Sequence, residues 1–279
     1  MWRLGMALAL AALAAGCGSD PSSFEGSGDA LENASSSRME LKVEGSNIPA
    51  WASMRESGAV DYANGRGELV IKGNSDSGPV AKARLVGHDA YLGVEVAGSM
   101  RWMKESVDDS PGTQRFLPGP GGTQPDRLLK ALIDSSKSVD KLDGEQIRGV
   151  ATTHYRAHLD KAKVASWNGI KTGDPGDVDV WIDGQGLPRR IRIPYGGSDD
   201  TSAVVDLFDF GVPVDVEAPP AGDIVSSDEF DKLMEKACAS AGKDLEKMNP
   251  LCMIFGATLT TSDKVQIEPE APVPATQGK

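Results

Sequence analysis

Side chains able to do chemistry are few in this sequence. Three histidines occur among 279 residues: His88, His154 and His158. His154 and His158 share the polar parity of an alternating stretch, with no Cys or carboxylate between them to complete a metal set. A solvated strand face accounts for both. His88 falls in a Gly-His-Asp turn. Gly73-Asn74-Ser75-Asp76-Ser77 departs from the G-x-S-x-G nucleophile elbow and reads as a polar turn. Gly119-Pro120-Gly121-Gly122 lacks the Lys-Ser/Thr of a phosphate-binding loop. Asp174, Asp177 and Asp179 fit no calcium-loop spacing. The reading is of a protein that is not an enzyme and takes no metal and no cofactor. Three thiols remain, Cys17, Cys238 and Cys252.

Cys17 closes a distinctive N-terminus. Arg3 supplies a positive charge, and Leu4 to Ala15 is an uninterrupted apolar run of 12 residues. A bilayer-spanning helix needs about 20. Charge, short apolar run and small residues make a secretory signal over residues 1–16. Ala14-Ala15-Gly16-Cys17 resembles the lipobox of bacterial lipoproteins, departing from it where Ala14 stands at the position usually held by Leu. The resemblance implies that the Cys17 thiol takes a diacylglycerol and that acyl chains such as palmitate anchor the mature chain to the extracytoplasmic face of the cell membrane. Without residues 1–16 the chain keeps 28 basic and 41 acidic residues, a net charge of −13. That charge disfavours nucleic acid and close apposition to anionic lipid. Attachment therefore falls to the anchor. Cys238 and Cys252 form an even pair in an oxidising location, so a disulfide is expected. Its loop of about 15 residues gives about 3 kcal/mol in the chain-entropy model.

The elements that must position these groups are mostly strands. Residues 17–28 read as the lipidated Cys and a flexible tether reaching about 18 Å. Asp29 to Ser36 suits a short helix. Met39, Leu41 and Val43 then alternate with charged residues as a half-buried strand. Asn64-Gly65 predicts a type I′ hairpin between two further strands. Alternation returns at 81–86, 90–96, 146–160, 178–182, 187–193 and 202–210. Pro125 and Asp126 open one amphipathic helix with the stripe Leu128, Leu129, Leu132 and Ile133. A helical C-terminal appendix over 221–262 carries the cysteine pair, and 263–279 is expected to be disordered. Nine to eleven antiparallel strands with few helices make an α+β class, and a sheet that large curls or packs on a helix.

Three segments extend this reading. Gly149-Val150-Ala151-Thr152-Thr153-His154-Tyr155-Arg156 is the first. Val178-Asp179-Val180-Trp181-Ile182-Asp183-Gly184-Gln185-Gly186-Leu187-Pro188-Arg189-Arg190-Ile191 is the second, and Leu207-Phe208-Asp209-Phe210-Gly211-Val212-Pro213-Val214 the third. Their order and spacing resemble the LppX/LprA/LprF/LprG-type lipoproteins of actinobacteria, similar in fold to the lipoprotein carrier LolA. The resemblance covers about residues 29–220. It implies a strongly curved antiparallel half-barrel, with helices closing the concave side over a cavity for the acyl chain of a lipid or glycolipid. Leu41, Val43, Leu69, Ile71, Leu85, Leu92 and Val94, with Leu129, Leu132 and Ile133, are the expected lining. Apolar alternation alone does not separate a filled core from a filled pocket. The competing reading is a sensor or interaction module with an envelope protein partner, for which the appendix is the motivating feature.

Overall fold

A computed structural model of the chain describes residues 23–45, 55–73, 80–106, 125–164, 176–195, 198–241 and 252. Helix α1 (Ser27–Ala34) precedes six consecutive strands: β1 (Ser36–Gly45), β2 (Arg55–Asp61), β3 (Arg66–Lys72), β4 (Val80–Val86), β5 (Asp89–Val96) and β6 (Ser99–Ser106). Helix α2 (Pro125–Ser135) leads into β7 (Ser136–Leu142), β8 (Gln146–Ile147), β9 (Val150–Leu159), α3 (Lys161–Val164), β10 (Asp177–Asp183), β11 (Pro188–Tyr195) and β12 (Ser198–Phe208). The two-residue β13 (Ile224–Val225) and helix α4 (Ser227–Ala241) follow.

The strands make one open sheet in the order β13-β6-β5-β4-β3-β2-β1-β12-β11-β10-β9-β7, with β8 paired to β9 off this path. Two antiparallel meanders, β1–β6 and β9–β12, meet where β1 pairs β12 through eight registered residue pairs. The expected α+β half-barrel is the observed architecture. The backbones of β2 and β3 approach closely at Gly58, where an added Cβ would lie 1.9 Å from the Glu68 carbonyl oxygen. Only a residue without a side chain lets β2 and β3 coil so closely.

Period-two alternation sorts side chains onto two unlike faces. The inner face carries Met39, Leu41, Leu69, Val180, Ile191, Val205 and their cross-strand neighbours. Leu128, Leu129 and Leu132 of α2 and Leu31 of α1 bury against it. The outer face carries paired charges. Asp206, 5% exposed, accepts hydrogen bonds of 2.6 and 2.8 Å from Arg190. Glu68 accepts from Lys82 and Arg84, each at 2.9 Å. Asp206→Asn is expected to cost about 2–3 kcal/mol, the worth of hydrogen bonds to a charged group. Urea denaturation of the two proteins checks this.

Residues 209–223 form a strap that leaves β12 in mid-sheet and reaches the β6 edge. Gly211 N–H donates to the Ser36 carbonyl at 2.9 Å, and the Ser36 hydroxyl donates to the Val212 carbonyl. Arg84, on the outer face, donates to the Glu217 carbonyl at 2.9 Å. The strap ends in β13, which pairs parallel with β6. Helix α4 then packs on the inner side. Ser226 caps it, its hydroxyl accepting from Glu229 N–H at 3.3 Å.

Several expectations are corrected. Phe24, read as part of the tether, is buried at 1% exposure in the core, and α1 begins two residues before Asp29. Phe24 is the one large apolar residue of 17–28, and the 6.4 Å contact with the Tyr155 ring shows what it packs against. The Asn64-Gly65 turn has four residues rather than two, because Asp61 pairs Arg66 and the Asp61 carboxylate accepts from Asn64 N–H at 3.0 Å. The region after Pro220, expected as a helical appendix, also adds a short strand to the sheet and packs Phe230 into the core. His154 is not solvated. It stacks on Trp181 at 4.3 Å and bonds to Asp179 at 2.8 Å, partners that only strand pairing brings close.

Candidate functional site

The inner face of β2–β5 is built in cross-strand rows. One row runs Gly58, Leu69, Ala83, Leu92, and on to Met103 of β6. The next runs Glu56, Ile71, Ala81, Val94. Small residues alternate with large ones along the first row, so the floor is low at Gly58 and Ala83. Ala83 packs against both of the molecule's apolar clusters.

Eight of the ten expected lining residues divide between these clusters. Leu41, Leu69, Leu129 and Leu132 belong to the larger one under α1 and α2, with half-buried Ile133 packed against it. Ile71, Leu92 and Val94 belong to a second one under α4, with Phe230, Met234 and Cys252. Leu85 is buried on the same face outside both, and Val43 is half-buried near the end of β1. The residues expected to line one cavity fall in two adjoining buried clusters. The reason is width: strands lie about 4.8 Å apart, so β1 to β6 spans roughly 24 Å. One helix about 10 Å across cannot cover that distance.

Sequence reasoning missed Glu56. It stands opposite Leu41 on one side and Ile71 on the other, at the border of the two clusters. It is 3% exposed, and its Oε2 has no hydrogen-bond partner. Burial pushes its carboxyl up to about 8. The signal lay in strand parity, since Glu56, Gly58 and Val60 share one face of β2. A second polar spot lies at the opposite end of β2. There the Ser37 hydroxyl and the Tyr62 hydroxyl share a hydrogen bond, and Asp126 of α2 carries an unpartnered Oδ1. Burial raises both Tyr62 and Asp126 above their ordinary values.

The expected disulfide joins Cys238 to Cys252, with 5.4 Å between their Cα atoms. It holds buried Cys252 against the second cluster beside α4. On the outer face, His158 bonds to Asp140 and Asp177, which raise it in that order. Among the described residues no group of three His, Cys, Asp or Glu is placed to hold a metal, and no helix is long and apolar enough to cross a membrane. Cys17, the signal over 1–16 and the tail 263–279 lie outside the described residues.

No family model matches the chain. An uncharacterized 31.2 kDa protein encoded in the rplA-rplJ intergenic region of Streptomyces griseus is 25% identical over 249 residues, covering 72% of this chain and 77% of its own length. Among solved structures, the chain is similar to the lipoprotein LppX of Mycobacterium tuberculosis, at 17% identity and TM-score 0.46, over 71% of this chain and all of that one. It is similar also to LprF of Mycobacterium bovis, at 15% identity and TM-score 0.48, over 71% of this chain and 95% of that one. MucB, in the MucA/MucB complex of Pseudomonas aeruginosa, follows at 10% identity and TM-score 0.35, over 68% and 56% of the two chains.

Proposed function

We propose that this chain is a membrane-anchored, extracytoplasmic lipoprotein that binds the acyl chain of a lipid or glycolipid between the inner sheet face and its helices, for carriage or presentation in the cell envelope. The observation that carries the reading is the inner face itself. Apart from Glu56 and the Ser37–Tyr62 pair it is apolar across both meanders, covered at two separate places by helices, and lowest where Gly58 and Ala83 separate the larger side chains. An acyl chain laid along such a floor gains about 25 cal/mol for each Å² removed from water. The reading is of a binder rather than an enzyme.

Organic extraction of the purified mature protein, followed by mass spectrometry, tests the reading. A co-purified acyl lipid is expected. Lipid-free protein that also takes up neither a fluorescent fatty acid nor a fluorescent, uncharged diacylglycerol overturns it. Ala83→Phe, which raises the floor between the two clusters, is expected to weaken uptake of the bound probe at least tenfold while leaving the far-ultraviolet spectrum unchanged.

Anchoring is tested separately. Cys17→Ser is expected to abolish metabolic labelling by palmitate and to move the protein from the membrane to the soluble fraction. Two or three acyl chains hold a protein firmly, since each buried CH₂ contributes about 0.8 kcal/mol.

A further inference from the structure

The other buried carboxylates of the sheet are matched by cations. Asp206 is held by Arg190, and Asp183 by Arg189 at 2.7 Å and by the backbone N–H groups of Gln185 and Leu187. Glu56 is equally buried, lies on the apolar face rather than the charged one, and keeps Oε2 unpartnered. Its cross-strand neighbours are Leu41 and Ile71. The nearby cations Arg55, Lys42 and Lys72 occupy the opposite parity and so point to the other face. A buried polar atom without a partner is retained against a cost that folding alone does not explain.

We propose that Glu56 is the polar contact for the bound lipid and selects an uncharged acyl ester, its carboxylic acid hydrogen-bonding an ester carbonyl or free hydroxyl of the ligand. The inference rests on the acyl-binding reading above and adds the class of lipid. Kept protonated by its apolar surroundings, the acid has one proton to donate and an oxygen to accept with. An ester carbonyl takes the proton, and a hydroxyl fits either way. A fatty-acid carboxylate at the same place would leave a buried negative charge with no cation among the facing described residues, which is costly. A phosphate would add more charge to the same apolar site.

Competition for a bound fluorescent fatty acid, at pH 6 on the full mature chain, tests the assignment. The competitors are dioctanoylglycerol, palmitate and dodecylamine, and the proteins are wild type, Glu56→Gln and Glu56→Leu. Dioctanoylglycerol is expected to compete with wild type at least tenfold better than palmitate. Glu56→Gln, whose amide still donates, keeps that preference within about threefold. Glu56→Leu loses it, with palmitate binding unchanged or tighter. If Glu56→Leu keeps the wild-type preference for dioctanoylglycerol, the assignment is wrong while acyl binding stands. If dodecylamine competes best and fails against Glu56→Gln, Glu56 pairs a cation instead and the uncharged ester is excluded. If wild type takes up neither the fluorescent fatty acid nor a fluorescent, uncharged diacylglycerol, acyl binding itself fails, and the role of Glu56 with it.

Discussion

Folding stability of the wild-type protein falls as pH rises from 4.5 to about 8, and Glu56→Gln flattens that fall. The Glu56 carboxyl is pushed from 4.5 up to about 8 by burial. Between those values the folded state binds more protons than the unfolded chain, so stability drops with rising pH. The contribution is complete below pH 4.5 and is lost progressively as pH passes through about 8. At about 1.4 kcal/mol per unit, this acid alone removes up to about 5 kcal/mol, a large part of the 5–15 kcal/mol typical of a domain. Glu56→Gln has no proton to lose. Its unfolding midpoint in urea, measured from pH 4.5 to 8.5, should sit near or below that of wild type at the acid end and well above it at pH 8.5. Asp126, also raised by burial, leaves a remainder of the same sign in both proteins. Parallel curves for the two proteins would show that Glu56 is not in the apolar setting described.

Phe230→Ala should cost about 3–5 kcal/mol, the range for removing a buried ring. Phe230 is fully buried, and with Met234 and Cys238 it forms a stripe at four-residue spacing that covers Ile71, Leu92, Val94 and Met103. The loss is local. Helix α4 and β13 are joined to the sheet through the second cluster and a two-residue ladder on β6, whereas β9–β12 pack under α2. Hydrogen exchange should therefore quicken over 224–241 and in β6, with β9–β12 unchanged. Uniform loss of protection across the sheet would mean that the two clusters open as one unit.

Much of the sheet was legible because its strands obey strict parity. Met39, Leu41 and Val43 alternate with charges, and the structure puts the first two under helices. Pro125 marked the first residue of α2, and the stripe Leu128, Leu129 and Leu132 its buried face. What the sequence could not carry is which strands become neighbours. The pairing of β9 with β10 brings Asp179 to His154 and Arg156, turning an apparently solvated row into a bonded one. Glu56 was hidden for a related reason. A charged residue beside Arg55 and Ser57 looks like surface, and its burial appears only when Leu41 and Ile71 close on either side. Phe24 lay in a stretch whose composition is mostly polar, where a single ring gives no period.

The junction of β1 with β12 sets the order in which this chain can be assembled. Its paired residues are 156 to 170 positions apart, from Gly45 with Thr201 to Arg38 with Phe208. The strands on either side pair with near neighbours and can form early, but this central ladder closes a very long loop and must come late. A chain growing from its N-terminus makes β1–β6 as a ribbon with one flank open until residue 208 has emerged. Stalling before Ser198 leaves Leu41 and Met39 on an unpaired edge, the kind of edge that recruits other chains. Passage of the whole chain in extended form, with pairing deferred until the last strand arrives, avoids that exposure. The fold is thus suited to a protein that begins to fold only after nearly all of it has been delivered.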